Sequence, residues 1–252
     1  MDLGLKGMKA LVTGATRGLG RAIAETLAEE GVDLAICART ADALPEAEQS
    51  LSSRGINVFS RAVDVGDGEA LQGFIADGAE ALGGLDILVS NPSGGNGSNE
   101  AAWRANFEVD VLGSVRSVEA ALPALSASSS PSVLFIGTTA AVETFIGPTS
   151  YNAMKAALVT HANGLSQALG GKGIRVNTVS PGPIFVEGGA WDNIKQGRPE
   201  MYEEAQKGHP GGKMGEAQDV ANAAVFLSSP AAKHITGVNL IVDGGFTKRV
   251  NF

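Results

Sequence analysis

Short apolar runs rich in Val, Ile and Leu alternate along the chain with longer segments in which apolar residues recur at helical spacing. The first run, Lys9 to Thr13, leads into Leu19 to Glu30, where Ile23 and Leu27, and Ala24 and Ala28, stand four apart. Further strands are predicted at Asp33 to Ala38, Asn57 to Ala62, Leu85 to Ser90, Ser132 to Gly137, Arg175 to Ser180 and Asn239 to Val242. Helices are predicted between them at Asp42 to Ser53, Gly68 to Ala81, Glu100 to Leu125, Tyr151 to Leu169 and Ala217 to Leu227. Strands that are apolar on both faces need cover on both sides. The pattern therefore predicts an α/β protein with one parallel sheet of about seven strands and helices on both faces.

No linker or internal repeat divides the chain, so a single domain over residues 1–252 is expected. Two stretches interrupt the alternation. Pro92 to Gly97 is a turn cluster directly after a strand, and about 183–215 carries Gly188-Gly189 and Pro210-Gly211-Gly212. Connections of the second length are usually binding loops or lids, and ligands of open parallel sheets bind beyond the carboxyl ends of the strands.

Composition narrows the function. The chain has 34 Gly in 252 residues, about 13% against a usual level of roughly 7%, an excess that belongs where backbone turns tightly or meets a ligand closely. A net charge of −8 with no basic run disfavours nucleic acid as a partner. One cysteine, Cys37, excludes an internal disulfide, and three scattered histidines offer no metal site. Cys37 falls in a predicted buried strand and is read as inert packing; His161, His209 and His234 are read as structural or exposed. With no signal-peptide pattern and no apolar run long enough to span a bilayer, a soluble cytoplasmic protein without a membrane partner is expected.

The first strand runs through Thr13-Gly14-Ala15-Thr16-Arg17-Gly18-Leu19-Gly20 straight into a helix. Glycines at 14, 18 and 20 permit a tight turn, close approach to a pyrophosphate and close packing of helix on strand, with the helix N-terminus facing the anion. No Lys-Ser or Lys-Thr follows, which disfavours a P-loop nucleotide hydrolase.

Thr-Gly-x-x-x-Gly-x-Gly resembles the turn of the classical short-chain dehydrogenase/reductase family, and the resemblance runs over nearly the whole chain. Asp64-Val65 is similar to the family's adenine contact, Tyr151-Asn152-Ala153-Met154-Lys155 to its Tyr-x-x-x-Lys signature, and Asn177-x-x-x-Pro181-Gly182 to the strand end that meets the nicotinamide. Ile235-Thr236-Gly237 and Val242-Asp243-Gly244-Gly245 also fit. The resemblance, which extends to 3-oxoacyl-carrier-protein reductase-like members, implies a Rossmann-type doubly wound sheet. It also implies a cofactor held by Gly14, Thr16, Arg17, Gly18, Leu19, Gly20, Asp64, Val65, Asn91, Pro92, Tyr151, Lys155, Pro181, Gly182 and Ile184.

Relatives specific for NAD(H) usually place an acidic residue at the end of the second strand; here Ala38 stands there and Arg39 follows. Arg17 and Arg39 supply two guanidinium groups for a 2′-phosphate, so NADP(H) is favoured over NAD(H).

Tyr151 and Lys155 stand one helical turn apart and share a face. Carbonyl reduction needs a proton donor beside the oxygen that receives negative charge. An ordinary Tyr hydroxyl, with a pKa of ~10, is a poor base for the reverse reaction, and a neighbouring ammonium favours its phenolate. The resemblance makes Tyr151 the general acid/base and Lys155 the group that lowers its pKa and binds the nicotinamide ribose. Thirteen positions before the tyrosine, where the family has Ser, stands Thr138, which keeps the hydroxyl that polarises the carbonyl; Thr139 is an alternative donor.

Three departures matter. The loop after the fourth strand reads Ser90-Asn91-Pro92-Ser93 instead of Asn-Asn-Ala-Gly. Val186 replaces a Thr that contacts the cofactor. Asp110 replaces an Asn of the family's proton relay, and its carboxylate would partly offset the effect of Lys155 on Tyr151. A relay role and a structural role for Asp110 both stay open.

These residues point to a carbonyl reductase or secondary alcohol dehydrogenase acting on a small-molecule ketone or alcohol. A catalytically weak dinucleotide-binding sensor or scaffold is the alternative, and an isomerase or dehydratase of the nucleotide-sugar type is disfavoured by chain length. Phe185, Trp191, Ile194, Met201 and Tyr202 fit an amphipathic lid, either lining a substrate with apolar bulk or only packing the lid down. By resemblance the two long helices form a dimer interface through faces including Ala120, Ala121, Ala156, Ala157 and Ala162. The final strand builds a second interface, giving a homotetramer or homodimer.

Overall fold

In the computed structural model, which describes residues 1–144 and 147–250, the apolar runs become one seven-stranded parallel sheet. Its strands are β1 (Lys9–Thr13), β2 (Asp33–Ala38), β3 (Val58–Ala62), β4 (Ile87–Ser90), β5 (Ser132–Ile136), β6 (Arg175–Pro181) and, last in the chain, β9 (Asn239–Val242). Two short strands, β7 (Ile184–Phe185) and β8 (Gly215–Glu216), pair separately. The order across the large sheet is β3-β2-β1-β4-β5-β6-β9, so the winding direction reverses between β1 and β4, which are neighbours in register from Ala10 opposite Ile87 to Val12 opposite Val89. This is the doubly wound arrangement expected of the sequence, with its switch point between those two strands.

Alternate residues of each strand feed two separate cores. Val12, Leu34, Ile36 and Val89 pack against Ile23 and Leu27 of α1 (Gly18–Glu29), Leu51 of α2 (Leu44–Ser52) and Val220 and Val225 of α9 (Ala217–Ser228). On the other face Leu11, Leu88, Val133 and Phe135 meet Phe74 of α3 (Gly68–Leu82), Val118 of α5 (Gly113–Ala127) and Leu158 of α6 (Ser150–Gly170). Cys37 lies in this second core, completely buried, and burial pushes its thiol up to about 12, so it carries no thiolate chemistry.

Three expectations are corrected. The helix read as continuous from Glu100 to Leu125 is α4 (Glu100–Asn106), a π-helical stretch over Phe107–Leu112, and then α5. The segment at about 183–215, read as a long connection with no helix assigned, contains α7 (Ala190–Gly197) and α8 (Pro199–Gly208). Ala121 and Ala162 do not lie on a free face: both are buried in the second core, because each sits on the sheet-facing side of its helix. His209, read as structural or exposed, is structural: it is buried at the end of α8, its ring 4.8 Å from that of Phe246 and its Nδ1 2.8 Å from the Ala205 carbonyl oxygen. Among the described residues no helix is long and apolar enough to cross a membrane.

Candidate active site

Every strand of the large sheet is parallel, so the loops leaving their carboxyl ends share one edge. The residues singled out in the sequence gather along it. Gly14 to Gly20 form the turn between β1 and α1, Arg39 follows β2, Asp64 and Val65 follow β3, and Asn91 and Pro92 follow β4. Thr138 follows β5, Pro181 ends β6, and Gly182 and Ile184 come next.

The glycine turn is packed too tightly for side chains. A Cβ on Gly20 would stand 2.2 Å from the Gly14 carbonyl oxygen and 2.5 Å from the Asn91 amide nitrogen, distances no side chain tolerates. Gly14 itself takes φ +67°, which disfavours any residue with a Cβ. Asn91 holds the turn across the switch point: its Nδ2 donates to the Thr13 and Gly14 carbonyls at 3.1 and 3.2 Å, and its backbone N–H donates to Thr13 Oγ1 at 3.1 Å. The odd loop after β4 thus keeps an asparagine whose side chain staples β4 to the phosphate turn.

The start of α1 differs from the starts of the helices opposite it. Asp67, Asn99 and Thr149 cap α3, α4 and α6 through their side chains, whereas α1 begins at Arg17 with no side-chain cap. Its first N–H groups are therefore left for an external anion, and the exposed Arg17 and Arg39 flank them. These features fit the pyrophosphate of a dinucleotide. Asp64 is exposed, its Oδ1 accepting from the Gly66 N–H at 2.9 Å, and Val65 is buried beside it. Val186 is half-buried, packed against the first core and within van der Waals reach of a Cβ on Gly18.

The second half of the site is built on α6. Thr149 caps the helix, Tyr151 and Lys155 lie in its first turns, and the Lys155 ammonium sits 5.9 Å from the Tyr151 ring centroid. The Tyr151 hydroxyl makes no hydrogen bond among the described residues. Lys155 is almost wholly buried, and its Nζ donates to the Pro92 carbonyl at 3.1 Å and the Ile136 carbonyl at 2.9 Å. The Asp110 carboxylate stands beside the ammonium, its Oδ1 3.1 Å from Nζ. That contact is a direct ion pair without hydrogen-bond alignment, and Oδ1 has no other polar partner. Oδ2 of Asp110 accepts from the Gly94 N–H at 2.8 Å and from Asn106 Nδ2 at 2.9 Å.

Two residues that the sequence reading passed over complete this cluster. Asn106 is fully buried; it also donates to the Gly95 carbonyl at 2.9 Å and accepts at Oδ1 from Ser150 Oγ at 2.8 Å. Ser150, next to Tyr151, donates its backbone N–H to the Gly97 carbonyl, which also shares the single hydroxyl hydrogen with Asn106 Oδ1. The signal was available: Asn106, Asp110 and Ser114 recur every four residues, a polar stripe along a helix face that should be apolar if it only packed.

Thr138 is nearly buried at the mouth of this cluster, its Oγ1 accepting from the Ala140 N–H at 3.2 Å and leaving the hydroxyl hydrogen free for a substrate oxygen. Thr139 points into the protein, where its hydroxyl is fully buried without a partner, so the geometry favours Thr138 over Thr139 as the carbonyl donor.

A family model described as enoyl-(acyl carrier protein) reductase matches residues 14–247. Isoepoxydon dehydrogenase of Penicillium expansum is 37% identical over 97% of this chain and 96% of its own. The chain is a classical short-chain dehydrogenase/reductase. Within that family, the structure of L-sorbose reductase from Gluconobacter frateurii complexed with NADPH and L-sorbose superposes with a TM-score of 0.91 at 30% identity, covering 99% of this chain and 100% of that one. A 7α-hydroxysteroid dehydrogenase complexed with NADH reaches the same score at 31% identity, covering 99% and 98%. These short-chain dehydrogenases are named for unlike substrates and hold different nicotinamide cofactors, so the acyl-carrier-protein reductase likeness is one among several. Membership makes the protein an NAD(P)-dependent oxidoreductase.

Proposed function

We propose that the protein is an NADPH-dependent carbonyl reductase which, in reverse, oxidises a secondary alcohol. The observation that carries this reading is the buried Lys155 ammonium beside Tyr151, at the sheet edge where the uncapped helix and the glycine turn lie.

The turn from Gly14 to Gly20, with Thr16 and Leu19, and the residues Asp64, Val65, Asn91, Pro92, Pro181, Gly182 and Ile184 would hold the dinucleotide, with Arg17 and Arg39 on the 2′-phosphate. When bound, the nicotinamide supplies or accepts the hydride. Tyr151 gives its phenolic proton to the substrate oxygen as negative charge develops there, and takes it back in oxidation. The positive charge of Lys155 favours the phenolate that this exchange requires. Thr138 donates its hydroxyl hydrogen to the same oxygen. Residues 183–215 would act as the lid. Phe185 meets Tyr202 edge to face at 6.2 Å, with Lys195 Nζ within 5.2 and 5.6 Å of the two rings. This apolar wall suits a ketone with aliphatic or ring bulk.

A screen of ketones and alcohols with NADPH and with NADH, product stereochemistry resolved, followed by Tyr151→Phe on the best substrate, tests the reading. Turnover with NADPH that falls by about 10²–10⁴ in the variant is expected. The second reading, a dinucleotide-binding sensor or scaffold, rests on the anionic Asp110 beside Lys155; NADPH binding without turnover across the panel would favour it.

A further inference from the structure

We propose that Asn106 and Asp110 act as a positioning pair: the Asn106 amide and the Gly94 N–H hold the Asp110 carboxylate so that its other oxygen fixes the Lys155 ammonium, and the carboxylate's charge tempers the field which that ammonium exerts at Tyr151. The inference rests on the reading of Tyr151 as the proton donor.

Three features carry it. First, the two carboxylate oxygens are used unequally. Oδ2 receives two N–H donors, from Gly94 and Asn106, while Oδ1 is kept bare for the ammonium at 3.1 Å. Two donors on one oxygen stabilise the ionised carboxyl and stop it rotating. A neutral asparagine at this position would offer the lysine a carbonyl oxygen and no charge.

Second, the pair is wholly enclosed. Asn106 and Asp110 are both fully buried and the Lys155 side chain nearly so. At such a site a unit charge acts over several ångströms with little screening. Asp110 is the only carboxylate within ion-pair distance of Lys155 among the described residues, and the other groups on Nζ, the Pro92 and Ile136 carbonyls, are uncharged.

Third, the cluster is tied to both walls of the site. Asn106 reaches the Gly95 carbonyl and Ser150, and Ser150 grips the Gly97 carbonyl, so one amide couples the loop after β4 to the start of the helix that carries Tyr151. Two carbonyl acceptors and one carboxylate within the chain hold the Lys155 ammonium. Its ammonium is placed before any ligand arrives.

The test uses the fact that the chain has only two tyrosines. In a Tyr202→Phe background the ultraviolet absorbance of phenolate reports Tyr151 alone, on the full-length, cofactor-free protein. Asp110→Asn should lower the pH midpoint of phenolate formation by about one unit, an estimate for removing one charge several ångströms away in a partly shielded site. Asn106→Leu should move it in the same direction by less, and should move it no further when added to Asp110→Asn. The low-pH limb of alcohol oxidation should follow the same three shifts. If Asn106→Leu folds poorly, Asn106→Ser removes the same donor with a smaller disturbance and should give the same pattern.

An unmoved midpoint in Asp110→Asn would overturn the proposal. So would an Asn106 effect of equal size with and without the carboxylate, since a merely structural role adds independently. Failure of the underlying reading looks different: Tyr151→Phe would keep its turnover whatever the titration shows.

Discussion

At the scale of single residues, the proposed preference for NADPH rests on two exposed guanidinium groups, Arg17 and Arg39, and the absence of an acid at Ala38. Charge-assisted hydrogen bonds to a phosphate contribute roughly 1.5–3 kcal/mol each. Arg39→Asp is therefore expected to lower kcat/KM with NADPH by about 10–100-fold and to narrow or invert the preference over NADH, as read from steady-state rates with both cofactors. Loss with NADPH no greater than with NADH would remove Arg39 from the 2′-phosphate. Thr138→Val keeps the shape of the side chain and deletes its donor. It should lower turnover by about 10²–10³ with little change in cofactor affinity; an unchanged rate would move the carbonyl contact elsewhere. Tyr151, Lys155 and the glycine turn were legible because their chemistry is tied to fixed spacings. Asn106 was legible only as part of the polar stripe it makes with Asp110 and Ser114; its partners, and the bond from Ser150 to Gly97, join segments distant in sequence, which spacing does not encode.

Among the elements, β6 and α9 meet through a buried cation. The Arg175 guanidinium donates to the carbonyls of Leu227, Ser228 and Ser229 at 2.6–3.0 Å, and to Ile235 at 3.4 Å, so it caps the end of α9 from the neighbouring strand. Burial holds its pKa below the usual arginine value, and while the Ser229 and Ile235 carbonyls also accept from the Ala232 N–H and from Asn177 Nδ2, those of Leu227 and Ser228 depend on the guanidinium. Arg175→Met leaves these two acceptors buried and unpaired and is expected to cost about 3 kcal/mol, lowering Tm by roughly 6–12 °C in thermal unfolding. A change of a degree or less would mean that water replaces the guanidinium. Most elements were legible from periodicity alone, since strands apolar on both faces and helices apolar on one have different repeats. The π-helical stretch from Phe107 to Leu112 was not, because it changes the hydrogen-bond step along a segment whose composition still reads as ordinary helix.

For the molecule as a whole, acid stability should carry a histidine signature. Burial lowers the pKa of His161 below its ordinary 6.5, and its Nε2 has no partner. The unfolded chain therefore binds a proton that the native state resists. This stabilisation is present above about pH 6.5 and is lost as the pH falls through the lowered native value. Denaturant unfolding at pH 7.5 and at pH 5.5 is expected to show a smaller difference for His161→Gln than for the unsubstituted protein, and an equal difference would place the acid sensitivity on other groups. The doubly wound sheet and the convergence of the site on one edge followed from the sequence, as parallel strands bring all their exits together. The true location of Ala121 and Ala162 did not follow. An alanine stripe reads the same whether it meets the chain's own sheet or another subunit.

The central claim is that Tyr151, beside a pre-placed Lys155, exchanges the proton that accompanies hydride transfer from NADPH. Its most direct test compares NADPH oxidation by the unsubstituted protein and by Tyr151→Phe, on the best ketone of the screen, with NADPH affinity measured separately by fluorescence. The predicted result is turnover reduced by about 10²–10⁴ with cofactor affinity nearly unchanged. Turnover that survives the loss of the hydroxyl would contradict it.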